Sequence, residues 1–206
     1  MDTYRLFVAV PLPGAVLERL GGVQERLRSK LPERSVRWVR ADGIHLTLKF
    51  LGETPGGKVP AIREALTAVS RNAPGCELTV QGVGCYPNPR RPRVIWVGVK
   101  EPTGRVKALW RAVEEAMTAI GYAAERHGFS PHLTLGRVRR GVSGADLQQI
   151  GEIIAGIEGQ GLGTVEAEGF ELIRSVLRPT GAEYTTLASF PLRGGSAPRE
   201  RESGVL

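Results

Sequence analysis

The tetrapeptide His-Leu-Thr-Leu occurs twice in this chain, at residues 45–48 and again at residues 132–135. The chain has three histidines, and the third, His127, is followed by Gly128 and Phe129 instead of this pattern. Coincidence is a poor explanation, because the two leucines match as well as the His and the Thr. The duplication therefore predicts two similar lobes, each carrying one copy of the tetrapeptide on a strand.

On a strand, residues two apart point to the same face of the sheet. The side chains predicted to share one face are His45 with Thr47 and His132 with Thr134. Those predicted to point into the core are Leu46, Leu48, Phe50, Leu133 and Leu135. If the lobes face each other, two imidazoles and two hydroxyls meet across one cleft.

Such a group of side chains suits phosphodiester chemistry. A neutral imidazole can take a proton from an attacking water, and an imidazolium can give one to the departing oxygen. The ordinary histidine pKa of about 6.5 makes both states available. The threonine hydroxyls can donate hydrogen bonds to the non-bridging phosphate oxygens. A single histidine on a strand is more often structural, but two in a duplicated setting favour catalysis that requires no metal.

The periodicity of the apolar residues predicts an α+β fold. Helical spacing covers residues 14–31, 58–71, 104–120 and 144–154, with Ser143 as the N-cap of the last helix. Strand-like segments are residues 6–10, 45–51, 78–85, 94–99, 132–135, 165–174 and 185–192. Because several strands follow one another without a helix, we expect antiparallel sheets rather than a doubly wound parallel sheet. Residues 1–192 are predicted to form one domain, followed by a disordered polar tail at 193–206.

The composition is compatible with a polyanionic partner. Lys and Arg number 28 against 21 Asp and Glu, giving a net charge of +7, and 23 of the cations are arginine. The planar arginine fork matches phosphate, although coding bias also enriches arginine. The two cysteines, Cys76 and Cys85, are predicted to be reduced core residues. With no signal peptide and no apolar run of about 20 residues, we expect a cytoplasmic protein without a membrane partner.

The two motifs resemble those of the two-histidine (2H) phosphoesterase superfamily, and within it the prokaryotic RNA 2′,3′-cyclic phosphodiesterases, also known as 2′-5′ RNA ligases. The family pattern H-x-T-L-x-F-L-G is matched at residues 45–52, and P-H-x-T-L-x-R at residues 131–137. Residues 5–10, 93–96 and 175–184 also match. The resemblance extends over about residues 4–192.

The resemblance implies a bilobal fold of two antiparallel sheets related by pseudo-two-fold symmetry, with helices on the outer faces and the active cleft between the lobes. It implies that His45 is the proton donor to the 3′ oxygen and His132 the acceptor that activates water, giving a 2′-phosphate. Thr47 and Thr134 would hold the phosphate. The substrate would be RNA with a 2′,3′-cyclic phosphate end. No metal or cofactor is expected, and the protein is expected to be a monomer.

Three further residues are candidates for the site. The resemblance gives Arg137 as a cation for the phosphate, although strict strand alternation points it away from His132. A bend or bulge at Gly136 could turn it back. Trp96 and Tyr184 are candidate substrate contacts, and core packing is the competing interpretation for Trp96. Reversible 2′-5′ ligation remains open, since an RNA 5′-hydroxyl could replace water.

Three other functions compete with this one. A nucleotide-dependent enzyme is suggested by G-x-x-x-x-G-K at residues 52–58 and K-x-x-G at 49–52, but Val59 stands where a phosphate loop needs Ser or Thr. A non-catalytic RNA-binding module could use the basic segments 90–93 and 137–140 with Trp96 and Tyr86 as stacking rings. A metal-dependent phosphoesterase would need ligands beyond Asp42 near His45.

Overall fold

The computed structural model describes residues 2–157, 161–178 and 181–194, and within them the protein is an α+β fold. The helices are α1 (Gly14–Arg28), α2 (Val59–Asn72), α3 (Arg105–Ala119) and α4 (Gly144–Ala155). The strands are β1 (Thr3–Val10), β2 (Val36–Trp38), β3 (Leu46–Pro55), β4 (Cys76–Tyr86), β5 (Val94–Lys100), β6 (His132–Val138), β7 (Gly161–Ala167), β8 (Gly169–Arg178) and β9 (Gly181–Pro191).

The strands form one curled antiparallel sheet in the order β7-β4-β5-β6-β3-β1-β8-β9, with β2 beside β6. The first lobe is β3-β1-β8-β9, and the second is β6-β5-β4-β7. The two expected sheets meet at a single residue pair, Leu46 with Leu133. In the first lobe α3 packs against β3 and α2 against β9, and in the second α1 packs against β7 and α4 against β4. The strands that carry the tetrapeptides are therefore the two central ones.

The strand registers show the pseudo-two-fold symmetry directly. The pairs Phe7–Phe50, Val8–Lys49, Ala9–Thr47 and Val10–Leu46 recur 87 residues later as Val94–Arg137, Ile95–Gly136, Trp96–Thr134 and Val97–Leu133. Both strand pairs also skip one residue at the equivalent position, Leu48 in β3 and Leu135 in β6. An extra residue of this kind is a β-bulge, which bends a strand and re-aims the side chains after it.

The bulge in β3 makes one prediction wrong. Phe50 was expected in the core, but its side chain is 65% exposed. Leu48 and Lys49 are consecutive and both buried, so the alternation reverses after the bulge. Phe50 therefore moves to the face that carries His45 and Thr47.

The predicted strand at residues 165–174 is also wrong, because it is two strands in different lobes. β7 pairs with β4 at one edge of the sheet, whereas β8 pairs with β1 in the first lobe. The chain crosses between them at Glu168, whose carbonyl accepts a hydrogen bond from the Leu192 N–H at 2.7 Å. Burial alternates along β7, whereas residues 169–173 of β8 are all buried.

The four helices are confirmed, and Ser143 caps α4 by accepting a hydrogen bond from the Asp146 N–H. The short strand β2 was not predicted. Arg193, the first residue of the predicted tail, bridges to Pro74 beside α2. The rest of that prediction, residues 195–206, lies outside the described residues. Within the part described, none of the helices is both long and apolar enough to cross a membrane.

Candidate active site

The four motif side chains surround the point where the two lobes join. Leu46 lies opposite Leu133, so the antiparallel register places His45 alongside Thr134 and Thr47 alongside His132. Side chains directly opposite on such strands have Cβ atoms about 5 Å apart. All four are half-buried, whereas the two leucines are buried on the other face. One surface of the sheet therefore presents two imidazoles and two hydroxyls together.

A hydrogen bond to the backbone shows which tautomer the neutral ring of His132 adopts. Its Nδ1 lies 2.8 Å from the carbonyl oxygen of Ser130, which can only accept a hydrogen bond. The neutral ring therefore carries its proton on Nδ1 and has a lone pair on Nε2. Tyr86 packs edge-on against the ring at 5.1 Å, and its hydroxyl lies 2.6 Å from the Ser130 hydroxyl. This arrangement suits a proton acceptor.

His45 lies in an aromatic setting on the other lobe. Phe7 stacks on its ring with centroids 4.6 Å apart, and Tyr184 meets it edge-on at 5.4 Å. Tyr184 also lies over Gly43, where a Cβ would come within 2.9 Å of the phenol ring. These contacts limit the rotation of the imidazole and leave Tyr184 as one wall of the cleft.

Trp96 lies on the cleft face and not in the core. It is opposite Thr134, with its ring centroid 6.4 Å from that of His132 and 5.1 Å from that of Tyr86. The ring covers Gly84, where a Cβ would lie 2.4 Å from two indole carbons. Its indole N–H is buried, and no hydrogen-bond acceptor contacts it in the described part of the chain. Trp96 and Tyr86 form the wall beside His132.

The bulge in β6 brings Arg137 to the cleft face. Arg137 lies opposite Val94, two residues from Trp96 on β5, and is exposed. The close approach of β2 requires Gly136, because a Cβ there would come within 2.7 Å of the Val36 side chain. The buried Gln24 amide also donates to the Leu135 carbonyl at 2.8 Å. These contacts hold β6 in the bulged shape that leaves Arg137 on the cleft face.

A different contact holds the matching bulge in β3. The Lys49 Nζ lies 2.7 Å from a Glu114 carboxylate oxygen on α3, with side chains 4% and 11% exposed. Lys49 also donates to the Ala123 carbonyl at 2.9 Å, and the Glu125 N–H donates to Glu114 at 3.2 Å. This buried pair keeps Lys49 on the helix side of β3. As a consequence, the next residue, Phe50, stands on the cleft face.

Cations gather around Tyr184. Burial raises the pKa of its phenol above the ordinary value, and Arg137, Arg5 and Arg37 act in the opposite direction. Since the net shift is upward, the hydroxyl stays protonated at neutral pH and can donate a hydrogen bond. Three guanidinium groups therefore lie near this edge of the cleft, which suits an anionic ligand.

The competing functions find less support. β3 continues to Pro55, so residues 52–55 pair with β1 and do not form a phosphate-binding loop. Lys49 is buried in its ion pair and is inaccessible as a nucleophile toward ATP. In residues 2–157, 161–178 and 181–194, no three His, Cys, Asp or Glu side chains lie close enough together to hold a metal ion. His127, outside the motifs, is exposed.

Sequence reasoning missed two residues that line the site, Phe7 and Phe50, and it named Tyr86 only as a stacking ring of a non-catalytic RNA-binding module. The position of Phe7 was readable, since strand alternation places it opposite to the buried Leu6 and Val8. The position of Phe50 depends on a bulge that alternation alone does not reveal.

Comparison with known proteins gives consistent matches. The family model described as LigT like Phosphoesterase matches twice, at residues 10–96 and 97–184. An RNA 2′,3′-cyclic phosphodiesterase of Archaeoglobus fulgidus is 33% identical over 90% of this chain and 99% of its own length. One of Methanothermobacter thermautotrophicus is 32% identical over 91% of this chain and 98% of its own length.

Solved structures match over a similar span. TT0787 of Thermus thermophilus is similar with a TM-score of 0.75 and 28% identity, covering 92% of this chain and 98% of that one. E. coli LigT complexed with 3′-AMP has a TM-score of 0.74 and 26% identity, covering 93% and 99%. The double family match divides the chain between β5 residues 96 and 97, in agreement with the repeated strand registers.

Proposed function

This chain belongs to the LigT-like phosphoesterase family, and we propose that it hydrolyses the 2′,3′-cyclic phosphate ends of RNA to 2′-phosphates. The observation that carries the proposal is the grouping of His45, Thr47, His132 and Thr134 on one face where the lobes join. The names of the relatives support the substrate class. A cytoplasmic monomer that needs no cofactor is part of the same proposal.

In the proposed mechanism, the Nε2 of His132 takes a proton from water as the water oxygen attacks phosphorus. The bond from phosphorus to O3′ breaks, and His45 in its protonated form donates the proton that O3′ requires. The hydrogen bond from His132 to the Ser130 carbonyl supports the first role, since it leaves Nε2 unprotonated. Proton exchange with solvent then restores both rings.

The phosphate is held by the remaining cleft residues. Thr47 and Thr134 donate to the non-bridging oxygens, and Arg137 offsets the negative charge. Since two imidazoles supply both proton transfers, we propose that the reaction is metal-independent. An RNA 5′-hydroxyl in place of water would form a 2′-5′ linkage with the same acid and base, so ligation belongs to the same proposal.

The test is the conversion of a nucleoside 2′,3′-cyclic phosphate in excess EDTA. We expect full activity and a 2′-phosphate product, identified by phosphorus NMR against both isomers. RNA ending in a linear 3′-phosphate should not react, because it lacks the O3′ leaving group within a strained ring. A 3′-phosphate product would show that the bond from phosphorus to O2′ breaks instead of the bond to O3′. Activity that requires added Mg²⁺, Mn²⁺ or Zn²⁺ would contradict metal independence.

Phe50 is suited to hold the terminal base. Its ring is exposed on the cleft face, with its centroid 6.0 Å from that of the buried Phe7. Single-stranded RNA is commonly bound by stacking of splayed bases on aromatic rings. By the pseudo-symmetry, Phe50 occupies in the first lobe the position of Arg137 in the second. One lobe thus offers an apolar surface to the base, and the other offers a cation to the phosphate.

Replacement of Phe50 by Ala should lower kcat/KM roughly 5- to 150-fold, since base–aromatic stacking contributes about 1–3 kcal/mol per base. The loss should appear mainly in KM. Phe50→Tyr should retain most of the activity because it keeps the ring. A ribose 2′,3′-cyclic phosphate without a base should be turned over equally by wild type and Phe50→Ala, and an equal loss on that substrate would argue against stacking.

A further inference from the structure

A second cation stands beside Arg137. Arg37 on β2 lies directly opposite Arg137 on β6, and both are exposed. Opposed residues of an antiparallel pair point to the same face, so both guanidinium groups extend from the cleft face. Like charges directly opposite destabilise a sheet. Within the described chain, neither arginine forms an ion pair with a carboxylate.

Two other cations lie near this point. Arg40 forms a two-point contact with Asp42, with its shorter N–O distance 2.8 Å. Arg5 is on β1, which β3 separates from β6. Arg37 and Arg137 are therefore two cations side by side on neighbouring strands, and no carboxylate of the described residues pairs with either.

A 2′,3′-cyclic phosphate has only one negative charge, which Arg137 can offset. Arg37 lies one strand farther from Thr134, a lateral shift of about 4.8 Å. The next anion on an RNA end is the phosphodiester on the 5′ side of the terminal nucleotide. A nucleoside 2′,3′-cyclic phosphate has a 5′-hydroxyl there and lacks this charge.

We infer that Arg37 forms a second phosphate subsite, which binds the internal phosphodiester preceding the terminal nucleotide. The inference rests on the proposed function, because it presumes that the terminal cyclic phosphate lies between His45 and His132. It makes an oligonucleotide the preferred substrate over a mononucleotide. The RNA chain then leaves the cleft across β2, on the side of Arg37.

The test compares three substrates with the same 3′-terminal nucleoside 2′,3′-cyclic phosphate. They are the mononucleotide, the dinucleotide, and a dinucleotide whose internal linkage is an uncharged methylphosphonate. Wild type should have a kcat/KM for the dinucleotide roughly 10- to 150-fold higher than for the other two substrates, as expected of one charged hydrogen-bonded contact. In Arg37→Ala this preference should disappear, because kcat/KM should fall for the charged dinucleotide and stay unchanged for the other two substrates. Arg37→Lys should restore part of it.

Salt provides a second readout. The logarithm of KM for the dinucleotide should depend on the logarithm of salt concentration with a slope about 0.7 smaller in Arg37→Ala than in wild type, as for one single-strand phosphate contact. Arg63→Ala, an exposed arginine on α2 away from the cleft, is the matched control and should leave the slope and the preference as in wild type.

The outcomes separate the two proposals. If wild type turns over the mononucleotide but shows no preference for the charged dinucleotide, the subsite is refuted and the proposed function stands. The subsite is also refuted if Arg37→Ala lowers kcat/KM on all three substrates by the same factor, since Arg37 would then act on the terminal phosphate. Failure of wild type to open any of the three would refute the proposed function itself.

Discussion

His45→Ala and His132→Ala should each lower kcat on a 2′,3′-cyclic phosphate by roughly 10²–10⁴, which is the usual contribution of a positioned acid or base. Neither substitution removes packing in the core, because both rings are half-buried on the cleft face. The measurement is initial rates at saturating substrate, with circular dichroism to show that the fold is retained. His127→Ala is the control, since this exposed histidine is outside the motifs and should leave kcat unchanged.

The pH dependence distinguishes the two roles. One histidine must begin protonated and the other neutral, so wild type should show a bell-shaped profile whose limbs belong to the coupled pair. Each variant should lose the limb of the pH profile that comes from the histidine it lacks. Near-wild-type turnover in either variant, or a profile that keeps both limbs, would show that the histidine is not the acid or base.

The grouping of the two motif histidines on one face could be predicted because its evidence is local. The repeat of His-Leu-Thr-Leu locates two equivalent strands, and a two-residue period determines which side chains share a face. The same period gives the buried Leu46 and Leu133 that join the lobes. The helices were also predictable, since each covers the core with one apolar stripe.

The predictions that failed concern features that depend on contacts between distant parts of the chain. Phe50 was misplaced because its face is decided by the bulge at Leu48, and the bulge is held by Glu114, 65 residues from Lys49. The crossing at Glu168 was missed because the alternation of Val165, Ala167 and Gly169 with polar residues continues through it without a visible break. The role of β2 depends on pairing with β6, far along the sequence. Strand periodicity contains no information on such partners.

Lys49 itself shows how a misplaced residue can be informative. A lysine between Leu48 and Phe50 would be expected to face water if the strand alternated strictly. Its 4% exposed side chain instead requires a buried carboxylate, which Glu114 supplies at 2.7 Å. We expect the ion pair to do more than neutralise a charge, because a Lys49 side chain held on the helix side leaves Phe50 on the cleft face.

Glu114→Gln should accordingly lower the free energy of unfolding by about 3–5 kcal/mol, because it leaves the Lys49 ammonium buried without its counter-ion. Urea denaturation followed by circular dichroism measures the change. The matched control is Glu25→Gln, which breaks the 2.8 Å pair with Arg28 on α1, where the side chains are 68% and 51% exposed. That substitution should cost less than about 1 kcal/mol. Equal effects of the two would show that the buried pair has no special structural role.

The double variant Lys49→Met/Glu114→Leu separates stability from position. Replacing both buried charges by apolar side chains of similar volume is often neutral or stabilising, so much of the lost unfolding free energy should return. The two apolar side chains stabilise the fold only if residue 49 stays on the helix side of β3, although the hydrogen bonds to Ala123 and Glu125 are lost. We therefore expect the double variant to keep Phe50 on the cleft face and to retain the wild-type KM for a nucleoside 2′,3′-cyclic phosphate. Glu114→Gln alone should raise this KM, as Phe50→Ala does, because an unpaired Lys49 reaches water by reversing the alternation that exposes Phe50. A wild-type KM in Glu114→Gln would show that the ion pair does not position Phe50.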